Sequence, residues 1–402
     1  MTGAERAVPP RSPHLVTLVA LSGLGALAMN MFLPSIPNMA LEFGVEYGVM
    51  QLAVSGYLAA SAALQLFIGP ISDRFGRRPV MIGALILFIL ASIGTLITDD
   101  AALFLAFRMA QAVSAVGMVI SRAVIRDTVS ADMAASQLGY VVMGMSVIPM
   151  LAPALGGMLQ EGWGWQGSFV VMLIAGLVVL AMTWADLSET GAGGGVSLRQ
   201  QIATYPVLAR SVRFWGYAIT ATLSSGAFFA YLGGAPFVGI EIFDMSPATL
   251  GYWFAAPSIG YFLGNFTSGR YSVRFGINRM VLTGSVIVML SMAVALAIDL
   301  SGLHHPLAFF APVAVMGLGN GMVLPNANAG MMSVRPELAG TASGLGGALA
   351  IAGGAALSAL AGAMLGTGTG ARPLLAIMLL SAIGSVIAIL WVIRRESVLR
   401  GH

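Results

Sequence analysis

Runs of roughly 20 consecutive apolar residues, the length of one helical crossing of a bilayer, recur along the whole of this 402-residue chain. Twelve spans are expected, at approximately 15–36, 48–71, 79–98, 101–125, 135–160, 166–186, 213–240, 247–269, 278–299, 305–332, 338–366 and 371–393. Hydrocarbon offers the backbone no hydrogen-bond partner, so each span has to be a helix or part of a closed barrel. None alternates apolar and polar residues at period two, and the spans are therefore read as helices. Composition agrees, with 58% hydrophobic and 9% charged residues where a soluble chain carries roughly 25% charged. The joints leave no room for a separate soluble domain. The first span lacks a small-residue cleavage site followed by a polar mature chain, so it is expected to stay as an anchor.

The basic residues test the count, because cytoplasmic loops collect positive charge. All nineteen are arginine. With twelve spans and the N-terminus inside, every arginine but two falls on the cytoplasmic side; Arg108 lies within a span and Arg372 outside. An odd number of spans would break the pattern. Trp163, Trp165, Trp184, Trp215 and Trp391 fall near span ends, as interfacial anchors do. The net charge of +3 thus describes orientation and not a nucleic-acid surface. Without lysine the chain can build neither a P-loop lysine nor a Schiff base, and without cysteine it has no thiol nucleophile or thiolate site. His14, His304, His305 and His402 sit in tails or a loop, so neither a metal site nor a cofactor is expected.

The longest joint divides the spans six and six, giving bundles at 1–186 and 213–402 and a cytoplasmic linker at 187–212. The linker opens with the flexible stretch ETGAGGG and continues as an amphipathic segment. Sliding the chain by 200 positions lays GPISDRFGRRP (69–79) over GRYSVRFGINR (269–279), so that Gly69, Ser72, Arg74, Phe75 and Gly76 meet Gly269, Ser272, Arg274, Phe275 and Gly276. A second echo lays Asp132 to Gly139 over Glu337 to Gly344. Internal repeats of this kind mark transporters built from two related bundles with the substrate between them.

GPISDRFGRRP resembles the loop motif of the major facilitator superfamily, G-x-x-x-D-R-x-G-R-R between the second and third spans. RMAQA around Arg108 agrees, and PMLAPALGG in the fifth span is similar to the antiporter motif of drug exporters. NMFLPSIP, RAVIRD and GWGWQGSF resemble the bicyclomycin and chloramphenicol resistance subgroup (Bcr/CflA) of drug:proton antiporters. The resemblance covers essentially the whole chain. It implies an all-α membrane protein of the major facilitator fold, with twelve helices in two pseudo-symmetric six-helix bundles and both termini cytoplasmic in a bacterial inner membrane. It also implies a monomeric, non-enzymatic secondary exporter of small, largely hydrophobic drug-like compounds, working by alternating access with protons as the coupling ion.

Five constellations are candidates for function. In the loop after the second span, Gly69 and Gly76 would allow a tight turn. A latch is expected there from Asp73, Arg74, Arg77 and Arg78, with Asp73 facing the start of the eleventh span near Glu337 and Arg77 paired with Asp127. The plainer reading is a positive-inside loop. Arg108, costly inside a span, should face the bundle interior with Gln111 on the same face; it could instead be a structural arginine bonded to carbonyls. Asn30 stands where the resembled subgroup usually carries an aspartate, so the usual proton carrier is missing. Asn30, Pro34 and Pro37 share one helical face, and the prolines free carbonyls that could line a cavity. Pro149, Pro153, Gly156 and Gly157 thin and bend the fifth span, for close packing or, as the resemblance implies, for export. Finally, Tyr57, Tyr231, Trp253 and Asn320 suit the lining of a partly apolar cavity, although each singly reads as packing. The rival reading is a facilitator or importer of a small anionic metabolite recognised by Arg108. A receptor or membrane enzyme is disfavoured by the number of spans and the lack of clustered catalytic side chains.

Overall fold

Long apolar sequences punctuated by a few helix-ending residues give an all-helical chain. The computed structural model describes residues 12–129, 131–190, 198–335, 338–366, 368 and 370–400. Six helices form the first half: α1 (Leu15–Glu42), α2 (Tyr47–Phe75), α3 (Arg77–Ile97), α4 (Ala101–Thr128), α5 (Ala131–Trp163) and α6 (Gln166–Asp186). The linker contributes α7 (Leu198–Ala209). The second half holds α8 (Val212–Ile242), α9 (Pro247–Trp253 continuing as Ala255–Phe275), α10 (Ile277–Leu300), α11 (Pro306–Val334), α12 (Ala339–Met364) and α13 (Arg372–Arg400). Among the described residues ten of these are long and apolar enough to cross a membrane. The 33-residue α5 and the interrupted α9 occupy the two remaining places of the expected twelve. The glycine stretch 191–197, Glu337, and the side chain of Asp132 lie outside what is described.

The internal repeat is visible in the backbone. Gly76 opens α3 at φ 96°, ψ 147°, and Gly276 opens α10 at φ 82°, ψ 155°. Each N–H bonds the carbonyl four residues back, Ser72 at 3.0 Å and Ser272 at 2.9 Å. A positive φ at a helix junction is where glycine avoids the clash that a Cβ would bring. Gly69 does not share in this turn: α2 runs unbroken through Gly69 and Pro70 to Phe75. The expected two-glycine turn is therefore made by Gly76 alone.

One end of each bundle is pinned by aromatic rings. Phe43, after α1, lies 5.1 Å from Phe104 and 5.6 Å from Trp165, and Phe169 completes the group at 5.4 Å from Phe104. In the second half Phe243 lies 6.4 Å from Phe309, beside Phe310 and Tyr231. Edge and tilted packing of this kind adds to the area that the rings bury. Both clusters lie at the end away from the chain termini, the far side. The opposite end, where α1 begins and α13 finishes, is the terminal side.

The halves meet closely on the far side. Gln51 Nε2 donates to Ser358 Oγ at 2.7 Å, the Tyr47 hydroxyl donates to the Gly233 carbonyl at 2.5 Å, and the Ala248 amide donates to Glu161 at 3.1 Å. Small residues permit this approach. A methyl group on Gly157 would overlap the Pro247 carbonyl, and one on Gly251 would overlap the Pro153 carbonyl. A single side-chain atom at either place would part α5 from α9.

Candidate functional site

A cavity of about 400 Å³ lies between the two halves, within the size range of drug-sized ligand sites. The first half contributes Asn30, Tyr57, Ser61, Gln65, Met118, Arg122, Met145 and Pro149, and the second Ser225, Phe228, Phe229, Tyr261, Asn320 and Leu324. Gln65 and Arg122 belong to the stretches of α2 and α4 that lead to the terminal side, so the cavity extends that way while the seam at Gln51 and Gly157 closes the far side.

Several of the polar groups on its wall are bonded within the protein. Asn30 Nδ2 donates to the Ala26 carbonyl at 2.7 Å, within its own helix. The Tyr57 hydroxyl lies 3.1 Å from the Gly25 carbonyl and 2.9 Å from Ser114 Oγ. Asn320 Oδ1 accepts from Ser224 Oγ. Phe228, Phe229, Met29, Met118 and Met145 supply soft apolar surface, which adapts to ligands of different shape.

Arg108 and Gln111, expected near the central cavity, do not line it. Arg108 is fully buried behind Tyr57, its guanidinium carbon 4.3 Å from that ring centre and 4.4 Å from that of Phe32. It donates to Gln111 Oε1 at 2.8 Å and to the Ala28 carbonyl at 2.7 Å. Gln111 Nε2 in turn donates to Ser92 Oγ at 2.8 Å. The arginine's charge joins α4 to α1 and α3, as a structural arginine bonded to a carbonyl does.

Three further candidates also sit away from the cavity. The 3-10 turn Leu33–Ser35 interrupts α1 after Asn30, so Pro34 leaves the face that Asn30 keeps and is buried. Tyr231 is fully buried among Phe254, Phe309 and Phe310. Trp253 stacks on Phe310 at 5.1 Å beside the break in α9. Their rings hold the second half together. Tyr57, Asn30 and Asn320 do reach the cavity, and Pro149 brings α5 to its wall. Pro153, Gly156 and Gly157 lie deeper along α5. A methyl on Gly156 would overlap the Met31 carbonyl, as one on Gly157 would overlap that of Pro247, so this strip lets one helix touch both α1 and the opposite half.

The charged loop forms a network centred on Arg77. Its guanidinium reaches Asp73 at 2.5 Å, Asp127 at 3.2 Å and Ser72 Oγ at 2.7 Å. Its amide donates to Glu189 Oε1 at 2.9 Å, and the Arg78 amide donates to Oε2 of the same carboxylate at 3.2 Å. Glu189 therefore satisfies two of the unpaired donors that open α3, where the helix dipole also favours a negative group. Arg78 extends to the Trp184 carbonyl at 3.0 Å, and Arg74 lies over the Phe75 ring. The partner expected for Asp73 at Glu337 falls outside the described residues. In the second half Glu396 of α13 plays a part comparable to that of Glu189, accepting from Asn278 at 2.7 Å and pairing with Arg213 at 2.7 Å.

Glu189, Arg122, Gln65 and the pair Phe228 and Phe229 were missed by sequence reasoning. Arg122 was absorbed into the positive-inside count, and a phenylalanine in a membrane helix carries no mark of facing a cavity. The sign for Glu189 was present: an acid just beyond the sixth span can reach the open start of the third.

Two helical bundles around a shared cavity, closed at one end by small residues and hydrogen bonds between the halves, give the architecture of a multi-pass membrane transporter. Residues 18–356 and, in an overlapping match, 240–401 fit the profile of the Major Facilitator Superfamily. The chain is 29% identical to multidrug resistance protein D of Escherichia coli, covering 94% of each. It is 30% identical to a chloramphenicol resistance protein of Pseudomonas aeruginosa, over 79% of this chain and 76% of that one. Among solved structures, a bacterial homolog of the human lysosomal transporter Spinster, inward-facing and occupied, is similar in fold, with a TM-score of 0.75 at 16% identity over 95% and 96% of the two chains. The chain belongs to the major facilitator superfamily, in the group of the bicyclomycin and chloramphenicol resistance proteins.

Proposed function

We propose that this protein exports small, largely hydrophobic, drug-like compounds across a bacterial inner membrane by alternating access of its two halves. The observation that carries the reading is the cavity itself, about 400 Å³ with a wall drawn from both halves. A ligand there touches both bundles, so its binding energy differs between arrangements of the two, which is what switching requires. The terminal side is the cytoplasm in this proposal, because the arginines gather there, and twelve helices place both termini on it. The names of the relatives, multidrug and chloramphenicol resistance proteins, support export. The Arg77 network acts as a latch on the terminal side and the α5 glycines as a seal on the far side. The protein works as a monomer, with the lipid bilayer as its solvent.

Coupling to protons is part of the proposal only in a modified form. Asn30 faces the cavity but cannot exchange a proton, so exchange would use a carboxylate nearer a membrane face or a protonatable substrate. Uptake of an anionic metabolite through Arg108 gains no support, since that guanidinium is committed to Ala28 and Gln111.

The test is a drug-susceptibility panel on cells that lack their main exporters and express this chain, read beside dye efflux. Raised resistance to several apolar compounds is expected, and it should disappear when Gly157→Leu disrupts the seal. Unchanged susceptibility across the panel, with the protein present in the membrane, would remove export of drug-like compounds from consideration.

A further inference from the structure

We propose that the central cavity discriminates by charge, taking anionic or neutral amphiphiles and rejecting organic cations, with Arg122 as the residue that reads the charge. The inference rests on the exporter reading of the cavity and specifies what the cavity accepts.

Arg122 lies on α4, five residues before Asp127, and its side chain is exposed to the cavity it helps to line. Among the described residues it has no ion pair, hydrogen bond or ring partner. Asp127 does not reach back to it, being paired with Arg77 at 3.2 Å and with Arg126 at 3.6 Å. No aspartate or glutamate stands on the described wall of the cavity; Asn30, Ser61, Gln65 and Asn320 are neutral. The described wall thus combines a large apolar area with one uncompensated positive charge.

Such an arrangement has a definite preference. A guanidinium forks onto carboxylate, sulfonate or similar oxygens with two parallel hydrogen bonds, and it keeps its charge at any relevant pH. In a narrow cavity with apolar walls, charges a few ångströms apart interact several times more strongly than in water. An anion with an aromatic body therefore gains both from Arg122 and from Phe228 and Phe229. A cation of the same size meets the same rings and is repelled. The other deep arginine, Arg108, offers no alternative anion site because it is fully buried and does not line the cavity, and its two terminal nitrogens donate to Gln111 and Ala28.

Tetraphenylborate and tetraphenylphosphonium test this directly, since they are nearly identical in shape and opposite in charge. Equilibrium dialysis of each ion against the purified full-length protein, in one detergent, gives an affinity ratio. Comparing protein forms in that same detergent cancels the unequal partitioning of the two ions into micelles. The wild-type ratio of borate to phosphonium affinity should exceed that of Arg122→Gln by about tenfold, and Arg122→Glu should shift it further toward phosphonium. Because Arg122 holds no structural partner, both variants should melt at the wild-type temperature, which separates a charge effect from misfolding. An equal ratio in wild type and Arg122→Gln, with both ions bound, overturns the charge inference and leaves the exporter reading standing. Absence of saturable binding of either ion to any form overturns the cavity reading and this inference with it.

Discussion

Nη2 of Arg108 donates to the Ala28 carbonyl at 2.7 Å, tying α4 to α1 a few residues before α1 breaks into its 3-10 turn. The bond joins side chain to backbone, so it does not depend on the side chain at position 28. The same guanidinium holds Gln111, and through it Ser92 of α3.

Replacing Arg108 with alanine should therefore damage the fold before it damages substrate recognition. It leaves the Gln111 amide oxygen and the Ala28 carbonyl without their donor in a dry interior, at about 1–3 kcal/mol for each group. A thermal melt in detergent should fall by several degrees or more, with Arg108→Lys falling less. An unchanged melting temperature together with lost substrate binding would instead place Arg108 in the substrate path.

The absence of cysteine makes the wall of the cavity easy to map. Gln65→Cys and Met118→Cys should react with a small charged thiol reagent applied from the terminal side, whereas Gln111→Cys should stay unreactive. Substrate should slow the first two. Labelling of residue 111 as fast as residue 65 would contradict its burial behind Tyr57.

The Arg77 network predicts a ranking. Arg77 is only 5% exposed and serves Asp73, Asp127 and Ser72, so Arg77→Ala should cost about 1–3 kcal/mol, allowing for the partial exposure of both acids. Asp73→Asn keeps an oxygen acceptor and should cost less than about 1 kcal/mol. Transport should decline in the same order, without loss of membrane insertion. Val273→Asp should change little, because Val273 at the matching place of the second half is 97% exposed. Equal effects of the two loop acids would show that the halves use their repeated loops alike.

The far-side closure should carry a pH dependence of known sign. Glu161, just beyond the expected end of its span, has its carboxyl held below the ordinary value by hydrogen bonds from Ser246 and the Ala248 amide. A depressed carboxylate contributes above its ordinary range and loses that contribution as pH falls through the lowered value. Closure should thus be constant from neutral pH down to the ordinary carboxylate range and loosen only in stronger acid. Glu161→Gln should resemble the acid state at every pH. Spin-label distances between Leu41 and Leu303, one on each half, would report it, and loosening at mildly alkaline pH would run against the sign.

Asn30 makes the last prediction. Lining the cavity without a titratable group, it should leave substrate flux less steeply dependent on an imposed pH gradient than an acid there would, and Asn30→Asp should steepen it. Proteoliposome flux under matched gradients compares the two forms. Steep dependence in the natural protein, unaltered by Asn30→Asp, would locate proton exchange at another residue.

Much of the fold was readable from the sequence because hydrocarbon leaves a chain few choices. The apolar runs had to be helices, and the repeated Phe-Gly at 75–76 and 275–276 had to end them, since both glycines adopt a φ that other residues avoid. The pairing of Arg77 with Asp127 was also anticipated from the charges flanking the loop. The site was harder to read. Arg108 looked functional because a charge within a span is costly, yet its main acceptor is the carbonyl of Ala28, 80 positions away, and no residue type announces that. Pro34 left the face of Asn30 because α1 changes from 3.6 to about 3 residues per turn between them, a rotation that a periodic reading cannot foresee. Arg122 reads in the sequence as one more cytoplasmic-side charge, because the same residue type serves both purposes.

The two ends of the molecule are held together by different chemistry. The far-side seam relies on Gln51 with Ser358, Tyr47 with a carbonyl, and glycines packed against backbone, with Glu161 bonded to neutral donors. The terminal side concentrates its arginines and acids in ion pairs open to water on one flank. Dissolved ions screen such pairs over about 8 Å at physiological ionic strength and barely touch neutral contacts. Ionic strength therefore becomes a directional quantity for this protein. Salt added to the compartment bathing the Arg77 loop should loosen the contacts that join α2, α3 and α4 at that end, while on the opposite face it meets the Arg372–Asp299 pair within the second half and leaves the contacts between the halves almost unchanged.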